Sequence, residues 1–230
     1  METEQRAPSP PAANERAVRV WDFPTRVFHW LTVLLVAGAW YTQRVNWIDL
    51  HVRLGETLLA LVLFRLLWGY FGSETARFRN FVVSPAKAFA HLRHVLHREP
   101  DTQVGHNAAG GWMVLLLLAL LLVETLTGIY VYNEVSDEGP LSAIVPAAVA
   151  NAISWLHAFG WDLILAAVVL HVCAIAVYAL AKGHNLIGPM VTGRKRLPAS
   201  ATAPRRAPLW LAALFLALSA LIVALLAAYV

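Results

Sequence analysis

The sequence is poor in cysteine and in charge, and each shortage excludes a class of protein. Cys173 is the only cysteine and lies in an apolar run. A disulfide framework, a thiolate-bound iron–sulfur cluster and a thioether-attached haem are therefore excluded within this chain. Charged residues make up only 14% of the chain and hydrophobic residues 59%, which is far from the balance of a soluble domain. The composition predicts a membrane protein.

The N-terminus has neither the apolar core nor the small-residue cleavage site of a signal peptide. Residues 1–25 are rich in proline, alanine and charge, which predicts a disordered tail. The expected location of this tail is the cytoplasm, as the charge distribution described below indicates.

Five stretches are apolar enough to cross a bilayer, for which a helix needs about 20 residues. They cover residues 28–41, 56–71, 112–132, 154–181 and 209–230. The first two are short, but they can extend through interfacial tryptophans. The predicted fold is an all-α membrane protein. It comprises a four-helix transmembrane core over residues 26–181, a basic cytoplasmic linker over 182–208 and an appended transmembrane helix over 209–230.

Lysine and arginine beside the spans predict the orientation, because cytoplasmic flanks carry an excess of both. Three segments hold most of them: the N-terminal tail, the connection between spans two and three, and the linker before span five. The connection over residues 133–153 has no lysine or arginine, but it contains Glu134, Asp137 and Glu138. We therefore expect a multi-pass protein with a cytoplasmic N-terminus and a periplasmic C-terminus. The net charge of +4 then reflects topology and contact with anionic lipid, not nucleic-acid binding.

Four of the nine histidines fall in or at the ends of predicted spans, where ionisable groups usually face the interior of a helix bundle. His157 and His171 are 14 residues apart, which returns a helix to within about 40° of the same face roughly 21 Å further along. The topology places His29 at the depth of His171 and His51 at the depth of His157. Two imidazoles at each level suit haem iron, whereas zinc requires further ligands. The spacing predicts two non-covalent b-type haems.

Simpler interpretations remain open for each of these residues. An isolated interfacial histidine is more often a solvated or hydrogen-bonded group than a ligand. His106 is an alternative inner ligand to His29. Three further histidines lie in a basic segment that favours a wet or lipid-facing helix surface over a metal site, and His184 fits the cytoplasmic surface. The three are His91, His94 and His97.

Several motifs occur in a fixed order along the chain. They are VWDFPTRVFHW (20–30), HVRLGETLLALVLFRLLWGYFG (51–72), GHNAAGGW (105–112), ETLTG (124–128), LHAFG (156–160), LH (170–171) and NLIGPMVTGRK (185–195). Together they resemble the bacterial cytochrome b561 family, which is similar to the cytochrome b subunits of nickel–iron hydrogenases and formate dehydrogenases. The resemblance covers residues 20–195. It implies a four-helix di-haem core in the inner membrane that exchanges electrons between the quinone pool and a redox partner.

The resemblance implies haem ligands at His29, His51, His157 and His171, the four positions that spacing also indicates. It places ubiquinone or menaquinone near the inner haem, where five polar residues could cluster: Arg26, His106, Asn107, Lys182 and Asn185. The acidic outer connection favours a basic periplasmic partner such as a c-type cytochrome. A homodimer is a further arrangement we consider.

Other candidate residues follow from helical geometry. Arg65 is 14 residues after His51, so its guanidinium could pair with a propionate of the inner haem or extend to the headgroups. Gly55, like Gly128 and Gly160, could let a porphyrin approach the backbone or could serve helix packing. Glu124, an acid in an apolar run, is a candidate for proton handling or for a hydrogen bond to a neighbouring helix.

Two other functions compete with the membrane electron carrier. One is a self-contained superoxide:quinone oxidoreductase. The other is a haem-free membrane anchor or transporter, in which the histidines serve structure or proton transfer.

Overall fold

The computed structural model describes residues 15–93, 102–131 and 145–228, apart from the side chains at 91 and 92. Five long helices dominate these ranges: α1 (Phe23–Arg44), α2 (Ile48–Phe71), α5 (Ala108–Gly128), α6 (Ala147–Val177) and α8 (Leu209–Ala228). Shorter elements join them. A 3₁₀ turn (Glu74–Ala76), α3 (Phe78–Phe81) and α4 (Pro85–Arg93) follow α2; a π-helical turn (Tyr178–Lys182), α7 (Ile187–Thr192) and β2 (Arg194–Pro198) follow α6; β1 (Glu15–Arg19) precedes α1.

The start of α1 is fixed by Asp22, which is buried. One carboxylate oxygen accepts a 2.7 Å hydrogen bond from the backbone N–H of Thr25, which caps the helix. The other accepts a 3.0 Å hydrogen bond from the indole N–H of Trp68, near the end of α2. Pro24 supplies a backbone angle that suits a first helical turn. Asp22 thus joins the beginning of one helix to the end of the next.

Three helical segments of the described chain are long and apolar enough to cross a membrane: Ala108–Gly128, Ala147–Lys182 and Leu209–Ala228. They correspond to the last three predicted spans. Helices α1 and α2 have 22 and 24 residues, or about 33 and 36 Å, which exceeds the bilayer core of about 30 Å. They carry more charge, however, and α2 alone contains Asp49, Arg53, Glu56 and Arg65.

The long helices pack around a core in which Leu35, Leu61, Leu121 and Ile164 come from α1, α2, α5 and α6 respectively. Helix α1 packs along α2, and α5 packs along α6. Helix α2 also contacts α5 and α8. The contact with α8 includes the buried residues Phe64, Trp68 and Ala212.

A two-stranded antiparallel sheet pairs β1 with β2 and differs from the expectations for both segments. Residues 15–19, assigned to a disordered tail, form a strand; residues 1–14 lie outside the described ranges. Residues 194–198, assigned to a linker, form its partner strand, and α7 also lies within that linker. The apolar residues Val18, Val20, Trp21 and Leu197 form a buried cluster that stabilises the pairing.

Candidate functional site

The four histidines of the predicted spans form two pairs. His29 on α1 faces His171 on α6, with their ring centres 6.5 Å apart. His51 on α2 faces His157 on α6, with ring centres 6.3 Å apart. His29 and His171 lie at the end of the bundle next to β1 and β2, which we call the basic end. The second pair lies at the opposite end, about 21 Å away along α6.

The spacing within each pair matches that of two imidazoles bound to one metal ion. A metal–imidazole bond of about 2.0 Å on each side places the two ring centres roughly 6.4 Å apart. A direct N–H···N hydrogen bond between two imidazoles would place the ring centres only about 5 Å apart. Each pair of histidines could therefore hold one haem iron between its two imidazoles.

Backbone carbonyl groups orient His51 and His157, which we call the outer pair. The Nδ1 of His51 is 2.8 Å from the carbonyl oxygen of Ala39, and the Nδ1 of His157 is 3.0 Å from the carbonyl oxygen of Glu124. A carbonyl oxygen only accepts, so each Nδ1 carries the proton and each Nε2 keeps its lone pair. This arrangement is typical of metal-binding histidines.

At the basic end, several buried polar atoms have no hydrogen-bond partner among the described residues. They include Nδ1 of His29, Nη1 of Arg65 and Nδ1 of His106. The His106 ring is held between Trp21 and Phe81, with ring centres 4.6 Å away on each side. Burial lowers the pKa of His106, and the nearby charge of Arg65 lowers it further. A buried guanidinium N–H without an acceptor suits an anionic group such as a haem propionate.

Arg65 is buried within the protein, with 2% of its surface exposed. Its Nη2 donates a 3.2 Å hydrogen bond to the carbonyl oxygen of Ala76, and its guanidinium lies over the ring of Phe78 at 5.1 Å. The guanidinium is thus enclosed by the segment that follows α2 and does not extend to an exposed surface.

Glu124 and the candidate glycines lie beside the outer pair. Glu124 Oε1 is 3.6 Å from Nδ1 of His157, and its Oε2 is buried with no partner among the described residues. A Cβ at Gly160 would collide with this carboxylate, and one at Gly128 would lie 3.0 Å from the His157 ring. A Cβ at Gly55 would meet nothing within 4 Å. Gly128 and Gly160 therefore accommodate protein side chains, and only Gly55 adjoins open space.

A family model described as prokaryotic cytochrome b561 matches residues 20–193, most of the chain and all four histidines. The chain belongs to the prokaryotic cytochrome b561 family. Two similar proteins are named probable Ni/Fe-hydrogenase B-type cytochrome subunits. The one from Rhizobium leguminosarum bv. viciae is 23% identical, covering 80% of this chain and 91% of the relative. The one from Bradyrhizobium diazoefficiens is 25% identical, covering 80% and 90%. Family membership implies haem b and membrane electron transfer.

The remaining candidate residues of this cytochrome occupy the basic end but engage the backbone. Arg26 donates a 2.6 Å hydrogen bond from Nη1 to the carbonyl oxygen of Val191. Asn107 caps α5 by accepting from the N–H of Gly110, and Asn185 accepts from the N–H of Gly188. Both amides therefore have a structural role.

Lys182 is buried at the end of the π-helical turn, with its Nζ 5.6 Å from the centre of the Tyr178 ring. It lies at the basic end of the bundle. His94, His97 and the side chain of His91 lie outside the described part of the cytochrome. Within that part, no group of three or more His, Cys, Asp or Glu residues could hold a metal ion.

Sequence reasoning missed the groups that orient the site. The carbonyl oxygen of Ala39 leaves no mark in a sequence, because any residue supplies one. Thr127, whose hydroxyl lies 3.2 Å from Nδ1 of His157, is three residues after Glu124 and could have been found by helical spacing. Asp22 could have been found too, because an aspartate shortly before a proline is typical of a helix start.

Proposed function

We propose that this cytochrome binds two haem b groups, one between His29 and His171 and the other between His51 and His157. The observation that supports this most directly is the spacing of the two pairs, 6.5 and 6.3 Å between ring centres. Haem iron, when bound, supplies one-electron transfer at each level.

The proposal includes α1 and α2 as membrane spans, so that four helices form the di-haem core and α8 is a fifth span. Their lengths support it, because both exceed the thickness of the bilayer core. The excess of lysine and arginine at the basic end supports a cytoplasmic N-terminus in the inner membrane and a periplasmic C-terminus.

The residues of the chain have distinct roles in this proposal. The carbonyl groups of Ala39 and Glu124 hold the protons of His51 and His157 on Nδ1, so the lone pair of each Nε2 would be available to haem iron. Arg65 and His106 would supply polar atoms for propionates of the inner haem. Glu124 lies where it could exchange a proton near the outer haem.

We further propose that electrons pass between a quinone at the basic end and a redox protein at the opposite end. Ubiquinone and menaquinone both fit this role. The names of the relatives indicate a hydrogenase as one class of partner. The acidic residues Glu134, Asp137 and Glu138 favour a basic c-type cytochrome, but they lie outside the described ranges.

Haem analysis of single-histidine variants tests this proposal. His51→Ala and His157→Ala should each remove the same haem, and His29→Ala and His171→Ala should each remove the other. Each variant should therefore hold about one haem per chain, and redox titration identifies the one that remains. His184→Ala is the matched control and should retain both haems.

Two results would contradict the assignment. If His51→Ala and His157→Ala lost spectroscopically different haems, the pairing would be wrong. If the purified wild-type protein showed no reduced b-type bands, the histidines would have another role, such as that in a haem-free anchor or transporter.

A further inference from the structure

The sheet of β1 and β2 has one buried face and one exposed face. Val18 and Leu197 are 3% and 0% exposed, and successive side chains of a strand point to opposite faces. The strand residues that alternate with Val18 and Leu197 therefore point away from the protein. We call this exposed surface the arginine face; it consists of Glu15, Ala17, Arg19, Arg194, Arg196 and Pro198.

The arginine face places like charges directly opposite one another. Arg19 pairs in register with Arg194, and Ala17 pairs with Arg196. Like charges at opposed positions destabilise a sheet. Within the described ranges, no carboxylate forms an ion pair with any of the three arginines; the one acidic residue of this face, Glu15, lies opposite Pro198.

The turn before β2 holds the arginine face in a fixed position. Gly193 has a φ of 78°, and its carbonyl oxygen accepts hydrogen bonds of 2.9 and 3.2 Å from the N–H groups of Val20 and Trp21. A Cβ at this position would lie 2.9 Å from the carbonyl oxygen of Trp21, so only glycine fits without strain. The backbone of this turn thus fixes the strands that carry Arg19, Arg194 and Arg196.

A shallow cavity of about 430 Å³ opens on this surface. Its lining residues are Ala17, Arg19, Thr192, Arg194, Lys195 and Arg196, none of them acidic; the Lys195 side chain belongs to the buried face of the sheet, because Lys195 pairs with Val18. Lys195 donates a hydrogen bond to the carbonyl oxygen of Gln103 at 2.9 Å. A cavity with this lining suits an anion that can accept several N–H donors at once.

The position of the cavity indicates where that anion comes from. Arg26 and Trp30, in the first turns of α1, donate hydrogen bonds to the carbonyl oxygens of Val191 and Met190, just before β2. The sheet is therefore attached to the start of a helix that we have proposed as a membrane span. Tryptophan at such a position is typical of the headgroup region.

We propose that the arginine face binds the phosphate of an anionic phospholipid headgroup in the leaflet at the basic end. This inference rests on the proposed placement of α1 in the bilayer. Arginine is suited to the role because its planar fork binds phosphate through two parallel hydrogen bonds. A lipid is favoured over an acidic protein because the site adjoins the headgroup region and requires only one phosphate group.

Lipid titration of the full-length protein in detergent, followed by native mass spectrometry, tests the proposal. The probes are dioleoylphosphatidylglycerol, which is anionic, and dioleoylphosphatidylcholine, which is neutral overall. Wild type should bind the first phosphatidylglycerol more tightly than phosphatidylcholine. The variant Arg19→Gln/Arg194→Gln should bind phosphatidylglycerol roughly 10- to 30-fold more weakly. Each of the two arginines contributes to binding of the anionic headgroup, and the variant loses both contributions.

A matched variant, Arg79→Gln/Arg206→Gln, removes two exposed arginines outside the sheet. It should keep its phosphatidylglycerol affinity within about threefold of wild type. Arg19→Lys/Arg194→Lys, which retains charge, should lose less affinity than the glutamine variant. The glutamine variant should fold, because it removes a repulsion; if its circular dichroism shows unfolding, Arg196→Gln is compared with wild type in its place.

Equal phosphatidylglycerol affinity in the wild type and the glutamine variant would overturn the proposal. So would equal binding of the two lipids by wild type, or displacement of phosphatidylglycerol by millimolar inorganic phosphate, which would assign the site to a free anion. Haem content distinguishes failure of the lipid site from failure of the proposed function. If the glutamine variant holds two haems and binds lipid as tightly as wild type does, only the lipid site is refuted.

Discussion

The imidazole of His157 is surrounded by three groups that control its charge and orientation. They are the carbonyl oxygen and carboxylate of Glu124 and the hydroxyl of Thr127. Gly160 leaves the space that the carboxylate occupies. A change at Gly160 therefore acts on the histidine through Glu124.

Gly160→Ala should move the Glu124 carboxylate away from His157 without removing a haem. A carboxylate near a ligating histidine increases its basicity and favours oxidised iron. Its displacement should raise the midpoint potential of the outer haem by on the order of 50 mV, about a tenfold change for one electron. Glu124→Gln should shift the potential in the same direction. Redox titration is the measurement, and an unchanged outer potential in both variants would show that the carboxylate has no effect on iron.

Arg65→Leu should retain both haems and lower the potential of the inner haem. Removing a buried positive charge favours the oxidised iron, which is the more positive state. Arg79→Leu removes an exposed arginine at the same end and should leave both potentials unchanged. If Arg65→Leu also left the inner potential unchanged, the guanidinium would serve only the contacts with Ala76 and Phe78.

Among the five long helices, α8 is the one that supplies neither a histidine of the two pairs nor a group in contact with one: α1, α2 and α6 carry the histidines, and α5 carries Glu124 and Thr127. It packs against α2 through Phe64, Trp68 and Ala212 at one level and through Leu59, Ala60 and Val223 at another. Its outer surface is apolar: Leu214 and Leu221, for example, are 54% and 55% exposed. Helix α8 therefore covers one side of α2 and presents a new apolar surface.

Deleting residues 209–230 should preserve both haem spectra but lower thermal stability in detergent. Packing contacts drive helix association in membranes, and their loss should reduce the melting temperature by at least about 5 °C. Thermal melts followed at the haem absorbance provide the measurement. Loss of a haem from the truncated protein would show that α8 also supports the ligand geometry.

The sequence predicted the long helices better than the elements between them. Predicted spans 28–41 and 56–71 correspond to α1 and α2, which extend further at their N-termini because Asp22, Pro24 and polar residues near the ends form helix without being apolar. The sheet was not predicted, since β1 and β2 are far apart in the chain and rich in charge. Such pairing depends on the fold that brings the two segments together.

Helical periodicity explains why the two histidine pairs could be predicted from the sequence. The interval between His157 and His171 fixes their shared face, and the structure brings each next to the expected partner. The interval could not indicate that Asn107 and Asn185 cap helices. The sequence is the same whether an asparagine beside a helix start binds the backbone or a quinone.

At the scale of the whole molecule, the acidic residues between α5 and α6 should control partner binding. Replacing Glu134, Asp137 and Glu138 together by their amides should slow electron exchange with a basic c-type cytochrome at low salt. The difference should shrink as salt rises, because the Debye length falls to about 10 Å at 0.1 M. Stopped-flow measurements over a salt series test this. Faster reaction with superoxide and unchanged exchange with the cytochrome would instead favour a superoxide:quinone oxidoreductase.

The continuity of α6 has a further consequence. His157 and His171 belong to one unbroken helix, so the separation of two bound irons would be set by the rise of the backbone, about 1.5 Å per residue. Tunnelling between the two levels would then depend little on how the other helices tilt in membranes of different thickness. The rate of electron transfer would then depend mainly on the difference between the potentials of the two haems, which the charges beside each haem determine.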